Sequence, residues 1–125
     1  MEEKDRISKA LAVFDALNER NLDAFLEILD EEATFEFPGT SLLAGTHAGK
    51  KGIRRFLRRM TIAVPDLQFT IRHSLASGHM VVLEWTNKGT TLKGAPYENK
   101  GVTVIEFDGD VVVRLRDYLD TERLK

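Results

Sequence analysis

The first half of the chain carries apolar residues at the three- and four-residue spacing of amphipathic helices. This spacing predicts a first helix with the apolar face Ile7, Leu11, Phe14 and Leu17. Asn21 is a typical N-cap for a short second helix, whose buried face would be Leu22, Phe25, Leu26 and Leu29. A third helix is predicted from Lys50 to about Ala63, before the stop signal at Pro65. Its apolar face is Ile53, Phe56, Leu57 and Met60.

The remaining segments alternate between apolar and polar residues, which is typical of strands. Between the second and third helices, residues 33–37 predict a short strand with Phe35 and Phe37 on one face. After the third helix, four strands are predicted over residues 67–75, 80–89, 101–107 and 111–119. Asp108 and Gly109 form a typical hairpin turn between the last two. Helices followed by hairpin-connected strands predict an α+β fold, with helices packed on one face of an antiparallel sheet.

Composition and charge narrow the class of protein. A chain of 125 residues with 42% hydrophobic and 30% charged residues is typical of a globular domain, so we expect residues 1–125 to form one domain. The formal net charge of −2 does not favour nucleic acid or an acidic membrane as a partner. Because the chain has no cysteine, disulfides, thiolate nucleophiles and cysteine metal sites are excluded.

The N-terminal sequence and the hydropathy of the chain predict its location. The charged start from Met1 to Asp5 lacks the apolar core of a signal peptide. No apolar run approaches the roughly 18 residues that a membrane span requires. We therefore expect a cytoplasmic protein.

The polar face of the predicted third helix is strongly basic. Its cations are Lys50, Lys51, Arg54, Arg55, Arg58 and Arg59. An anionic partner is one explanation, and a solvated face that pairs with acidic neighbours or another subunit is the other. Because no aromatic residues are interleaved with these cations, we expect neither nucleic-acid nor membrane binding.

Six runs along the chain resemble a known family in the same order. They are NERNLDAF at 18–25, ATFEFPG at 33–39, HAGKKGIRRF at 47–56, PDL at 65–67, GAPYENKGV at 94–102 and RLRDYLDT at 114–121. Together they resemble a SnoaL-like member of the nuclear transport factor 2-like superfamily. The resemblance implies a cystatin-like cone, in which three N-terminal helices pack on a curved mixed, mostly antiparallel sheet around a pocket. It also implies a homodimer formed through the outer face of the sheet.

The same resemblance leaves the activity open, because the family includes polyketide cyclases, isomerases, epoxide hydrolases, dehydratases and proteins without catalysis. Two of these activities lack their characteristic residues here. Trp85 and Asn87 stand where the epoxide hydrolases carry an arginine and a second aspartate. Phe37 stands where the steroid isomerases carry their aspartate base, and their tyrosine falls near Val13 or Phe14.

Asp117 is the leading candidate for chemistry. Alternation along the last strand places it in the otherwise apolar row Val113, Leu115, Asp117 and Leu119. Burial in such a row raises the pKa of a carboxyl group towards neutrality and suits it for proton transfer. In the cyclase and epoxide hydrolase relatives, an aspartate at the start of the corresponding segment acts as acid or base. The alternative is a carboxylate at the strand end that meets water or an arginine.

Other candidates would bind or orient a ligand. Asn87 would orient a carbonyl or a water molecule, and His47, just before the third helix, would face the mouth of the pocket. The expected pocket walls, which equally suit an ordinary core, are Phe14, Phe35, Phe37, Phe56 and Trp85. We expect Tyr97 and Glu98 to lie in a solvated loop before the third strand. The histidine and carboxylate spacing matches no metal signature, so no metal is predicted, and no cofactor is expected.

These observations support two functions. The first is an enzyme that encloses a small apolar molecule and uses Asp117 for proton transfer, as an isomerase, cyclase or lyase would. The second is a non-catalytic module that binds a small ligand or assembles as a dimer. The missing epoxide hydrolase and steroid isomerase residues favour the second, and the buried position expected for Asp117 favours the first.

Overall fold

The structure is a computed structural model that describes residues 2–124; Met1 and Lys125, the ends of the predicted domain, lie outside the described residues. Its helices are α1 (Glu3–Asn18), α2 (Leu22–Glu27), α3 (Gly49–Ala63) and a C-terminal 3₁₀ helix (Thr121–Leu124). Its strands are β1 (Leu29–Phe37), β2 (Gly45–Ala48), β3 (Gln68–Ser77), β4 (Met80–Thr90), β5 (Pro96–Asp108) and β6 (Val111–Leu119).

The six strands form one curved open sheet in the order β2-β1-β6-β5-β4-β3. β1 and β6 run parallel, and all other neighbouring strands are antiparallel. The predicted α+β class, with three helices on a mixed and mostly antiparallel sheet, is therefore confirmed. The parallel pair joins the N-terminal part of the sheet to the strand that carries Asp117.

The helices cover the concave face of the sheet. α1 packs against β3 and β4, and α3 packs against β1 and β2. Their apolar faces and the inward residues of the strands form one core, whose largest fully buried side chains include Phe25, Ile53, Phe56, Leu83 and Trp85. Among residues 2–124, no helix has the length and apolar character needed to cross a membrane.

The predicted helices agree with the structure in position, but their apolar faces differ in part. In α1, Ile7, Leu11 and Leu17 are only partly buried. The buried residues of this helix are Arg6, Ala10, Val13, Phe14 and Ala16. α1 and α3 lie where the periodicity places them, and the side chain of Asn21 caps α2 by accepting a hydrogen bond from the Ala24 amide over 3.0 Å. Leu29, however, is not on the buried face of α2. It is the first residue of β1, where it is buried from a strand position.

The strands differ most from the prediction in three places. β1 begins at Leu29 rather than at Ala33, and β2 was not predicted because its four residues are mostly exposed and do not alternate in polarity. β5 begins at Pro96, so Tyr97 and Glu98 lie in a strand rather than in a loop. A proline is compatible with the first residue of a strand, where its missing N–H breaks no interior ladder bond.

A bulge changes one face assignment on β6. The pairing of β5 with β6 shifts register between Glu106 and Phe107, which puts Val112 rather than Val113 into the buried row. Beyond the bulge, the predicted alternation is correct for Leu115 and Asp117. Because a bulge adds one residue to a strand, the predicted alternation of faces is wrong only for the residues on one side of the bulge.

A candidate active site on the concave face of the sheet

A chain of hydrogen bonds links three neighbouring strands on the concave face. The indole N–H of Trp85 donates to Thr103 Oγ1 over 2.8 Å, and the Thr103 hydroxyl donates to Asp117 Oδ1 over 2.6 Å. Because an indole N–H can only donate, the Thr103 oxygen accepts it and turns its single proton towards Asp117. The pairing of β5 with β6 sets Thr103 directly opposite Asp117. The carboxyl group of Asp117 is therefore held in one orientation.

Gly101 makes room for this arrangement. A Cβ atom at Gly101 would lie 2.9 Å from Trp85 Cη2 and 2.5 Å from the Tyr118 carbonyl oxygen. Both distances are shorter than real Cβ contacts. Only glycine lets the indole ring lie across β5 and aim its N–H at Thr103.

The environment of Asp117 makes its carboxyl group titrate near neutral pH. The residue as a whole is half-buried, but its carboxyl group is enclosed among apolar side chains. Loss of hydration raises the pKa of Asp117 from 3.8 to about 7, although the hydrogen bond from Thr103 favours the charged form and opposes the rise. A carboxyl group with such a pKa exchanges protons readily at neutral pH.

Asp117 borders a largely enclosed cavity of about 50 Å³. The cavity walls are mainly apolar and include Phe37, Leu43, Met60, Ala63, Val64, Leu67, Phe69, Leu119 and Leu124. The residues of its wall that carry polar groups are Trp85, Asn87, Tyr97 and Asp117. A second void of about 20 Å³ shares Met60, Phe69 and Asp117 with the first. Asp117 therefore borders both voids, and Met60 and Phe69 lie between them.

Asn87 places an unsatisfied polar atom beside this cavity. Leu83, Trp85 and Asn87 share the buried face of β4, as the alternation predicts, and Asn87 is only 8% exposed. Its side-chain oxygen Oδ1 is buried without a hydrogen-bond partner. A buried polar group without a partner costs roughly 1–3 kcal/mol. A ligand with a hydrogen-bond donor at this point would remove that cost.

The predicted aromatic residues divide between the two voids. Phe37 and Trp85 line the larger one, and Phe14 and Phe35 line the smaller one. Phe56 lies behind them, with its ring centroid 4.9 Å from that of Phe35 and 5.2 Å from that of Phe37. Phe56 therefore supports the wall without lining either void.

His47 lies apart from Asp117. On β2, its ring stacks on Phe56 with centroids 4.4 Å apart, and its Nε2 lies 2.8 Å from the Leu43 carbonyl oxygen. Because a carbonyl can only accept, Nε2 carries a proton and donates it. This bond fixes the loop that brings Leu43 into the wall of the larger cavity.

Two buried polar residues of the site were not predicted from the sequence: Thr103 and Asn99, which are 1% and 6% exposed. A signal for Thr103 was present, because alternation places it in a row with Ile105 and Phe107. A hydroxyl group in such a row needs a buried partner. No comparable signal marked Asn99, since its segment was interpreted as a loop.

A larger open groove of about 470 Å³ runs along β3, β4 and β5, and Asn87 and Asn99 also line it. Its lining is polar and of mixed charge, and includes Arg72, Lys88, Glu98, Lys100 and Asp120. It lacks the apolar walls that enclose most small ligands. The smaller cavity beside Asp117 is therefore the candidate site.

Comparison with known proteins places the fold in a family. The profile of the SnoaL-like domain family matches residues 10–115. No curated protein matches the chain. Similar solved structures are numerous, and their TM-scores show that the architecture is shared over nearly the whole chain.

Three of these structures illustrate the likeness. A candidate isomerase from Bacillus subtilis is 26% identical and has a TM-score of 0.86, with 100% of this chain and 94% of that chain covered. TerC, co-crystallised with polyporic acid, is 23% identical with a TM-score of 0.88, and the coverage is 96% and 95%. An NTF2-like protein of unknown function from Burkholderia pseudomallei is 21% identical with a TM-score of 0.90, and the coverage is 99% and 95%.

Proposed function

The chain belongs to the SnoaL-like domain family, and from that premise we propose that it is a small-molecule enzyme in which Asp117 transfers a proton. The proposal rests on the position of Asp117. This residue borders an apolar cavity, and burial raises the pKa of its carboxyl group to about 7. At that pKa, the group is present in both protonation states at neutral pH, as a general acid or base requires. The reaction class would be isomerase, cyclase or lyase.

The neighbouring residues would position the substrate. Trp85 supplies a flat wall, and through Thr103 it fixes the orientation of the Asp117 carboxyl group. The unpartnered amide oxygen of Asn87 would accept a hydrogen bond from a donor group of the substrate. His47 would act indirectly, because it holds the loop around Leu43 in place. A positioned acid or base typically contributes about 10²–10⁴ in rate, and exact placement of the substrate supplies much of the rest.

Substrate entry would require the cavity to widen. Ligand pockets commonly measure about 300–1,000 Å³, whereas the larger void here measures about 50 Å³. Leu43 and Leu124 contribute walls from a loop and from the C-terminal 3₁₀ helix, which lie outside the sheet and the three α-helices. Movement of these two segments, together with Met60, would join the voids. The presence of polyporic acid in the TerC crystals supports an organic ligand for this fold.

Deuterium uptake from D₂O into cyclopentanone tests the proposal. This small ketone carries exchangeable hydrogens next to its carbonyl, so a general base in an apolar pocket should accelerate their exchange. We expect wild-type protein to catalyse uptake and Asp117→Asn to lose it while remaining folded. Asp15→Asn is the matched control, because Asp15 is exposed on α1. Equal uptake by wild type and Asp117→Asn would show that Asp117 is not the catalytic base.

A non-catalytic ligand-binding protein is the second candidate. The unpartnered oxygen of Asn87 favours this function, because a bound ligand would hydrogen-bond to that atom whether or not a reaction follows. In that case, an apolar ligand with a hydroxyl group to donate to that oxygen, such as cyclopentanol, would bind and raise the melting temperature of wild type. Deuterium uptake would then be absent from both wild type and Asp117→Asn.

We further propose that residues 1–125 form a single domain and that the protein is a cytoplasmic homodimer. The outer face of the sheet supports the dimer, because the strand register groups apolar side chains there. This outer patch consists of Leu75, Val82, Val102, Val104 and Tyr118. Tyr118 and Leu75 are 55% and 67% exposed, so the patch presents apolar surface to solvent.

A further inference from the structure

The outward side of α3 is strongly basic. α3 carries six cations and no acidic residue. Two of the cations pair with neighbouring elements: Lys50 Nζ lies 3.6 Å from Glu31 Oε1, and Arg54 Nη2 lies 2.7 Å from Asp23 Oδ1. Within residues 2–124, no ion pair engages the other four, which are exposed. These four form what we call the basic surface: Lys51, Arg55, Arg58 and Arg59.

The basic surface weakens the helix that carries it. Lys51 and Arg55 are four positions apart, as are Arg55 and Arg59, and like charges at this spacing repel each other along one side of a helix. No acidic residue of α3 offsets the repulsion. An anionic partner outside the chain would offset it.

Three exposed apolar side chains lie at the C-terminal end of α3. Leu42, Ile62 and Leu92 are 93%, 62% and 71% exposed. Ile62 continues the outward side of the helix beyond the basic surface. Leu92 lies beside the same end, because its amide donates to the Ala63 carbonyl oxygen over 3.1 Å. Leu42 directly precedes Leu43, which lines the larger cavity together with Ala63.

The larger cavity comes to the surface in the same place. Ala63 is exposed and is also part of the cavity wall. The exposed Lys93, next to Leu92, adds another cation here. Asp66 follows shortly after the helix and is acidic, and its Oδ1 accepts from the Thr90 amide over 2.6 Å. The end of α3 therefore combines cations, exposed apolar side chains and the edge of the cavity.

We propose that this end of α3 docks on an anionic lipid bilayer, with the cations against the headgroups and Leu42, Ile62 and Leu92 inserted between them. Anionic lipids attract clustered lysines and arginines, and apolar side chains beside such cations add binding by entering the headgroup boundary. A nucleic acid would use the charge alone, and the convex side of a helix offers an acidic peptide no groove.

The fold changes what the sequence indicates about a membrane partner. From the sequence we expected none. The fold, however, brings Leu42 and Leu92, which are distant along the chain, to the end of α3. In the docked state the larger cavity would open beside the acyl chains, where apolar molecules partition.

Co-sedimentation with lipid vesicles tests the proposal. Wild type should bind vesicles of equal parts phosphatidylcholine and phosphatidylglycerol but not vesicles of phosphatidylcholine alone, and added salt should weaken the binding. Each cation near an anionic bilayer strengthens binding about fivefold, so Arg58→Glu, which removes one cation and adds an anion, should weaken it about 20-fold. Leu92→Ser should weaken it about tenfold, because less apolar area leaves water.

Lys4→Glu is the matched control, because it makes the same change of charge at an exposed position of α1. It should bind the anionic vesicles as wild type does. The inference is overturned if wild type does not bind them or binds both kinds of vesicle equally. Weak binding by Arg58→Glu with full binding by Leu92→Ser would also overturn it and favour a nucleic acid or an acidic peptide. Because no turnover is measured, failure of proton transfer by Asp117 would leave these results unchanged.

Discussion

Asp117 couples the chemistry of the site to the stability of the fold. Its pKa is about 7 in the folded protein and 3.8 in a solvated chain, so the folded state binds its proton more tightly. Between about pH 4 and pH 7 the unfolded chain gives up this proton first, and stability falls as pH rises. The cost of the buried charge is fully present above pH 7 and absent below about pH 4. Since a tenfold change in proton affinity corresponds to about 1.4 kcal/mol, the cost is at most about 4 kcal/mol.

Asp117→Asn should therefore stabilise the protein in alkaline solution only. We expect the free energy of unfolding of the variant to exceed that of wild type by up to about 4 kcal/mol at pH 8 and to match it near pH 4. Urea unfolding at a series of pH values measures the difference, in which all other titrating groups cancel. Asp15→Asn should show no such trend. A difference that does not change with pH would mean that the Asp117 carboxyl group is solvated in the folded state.

At the residue scale, a site residue can be predicted from the sequence when a polar side chain occupies a position that the pattern predicts to be buried. Asp117 stands out because a carboxylate occupies an apolar row, and Asn87 stands out for the same reason. Tyr97 does not, because a tyrosine directly after a proline is equally typical of a loop. The role of His47 could not be predicted, because it depends on a hydrogen bond to Leu43 that periodicity does not encode.

At the element scale, the position of Trp85 depends on Gly101 of β5, because this residue has no side chain. A methyl group at Gly101 would meet the Trp85 ring and the Tyr118 carbonyl oxygen. We expect Gly101→Ala to destabilise the protein by about 1–3 kcal/mol, as overpacking of a core does. It should also pull the indole N–H away from Thr103. Urea unfolding gives the first effect, and the fluorescence of Trp85, the single tryptophan, gives the second.

Gly52→Ala is the matched control on α3. A Cβ atom there would meet only ordinary contacts, the nearest at 3.5 Å from the His47 carbonyl carbon. The same substitution should stabilise the protein by about 0.5–1 kcal/mol, because alanine favours a helix interior. If Gly101→Ala and Gly52→Ala changed stability in the same direction, the close approach of Trp85 to β5 would be wrong.

Periodicity predicts an element well when one face of it is buried. α3 and β6 were placed to within a residue or so because their apolar faces repeat clearly. β2 was missed because most of it is exposed, and the start of β5 was missed because Pro96 resembles a turn residue. Val113 was assigned to the wrong face, since nothing in the local pattern marks the bulge opposite Glu106.

At the scale of the whole molecule, the sheet presents two different surfaces. Its concave side, covered by α1 and α3, holds the cavity and Asp117. Its outer side carries the outer patch defined above, flanked by the ion pairs of Glu106 with Arg114 and Arg116. Apolar residues surrounded by charged ones are typical of a protein–protein interface. The proposed dimer would bury this patch without blocking the helix-covered side.

Val82→Lys tests the dimer at the centre of the patch, where Val82 pairs with Leu75 on one side and Val104 on the other. Two buried lysines facing each other across a twofold axis would lose hydration and repel, so we expect the variant to be a monomer. Sedimentation equilibrium measures the mass of each protein, with 14.1 kDa as the value for one chain. Ser77→Lys, at the exposed end of β3, should leave the wild-type mass unchanged. A monomeric wild type would contradict the proposed dimer, and a dimeric Val82→Lys would place the interface elsewhere on the molecule.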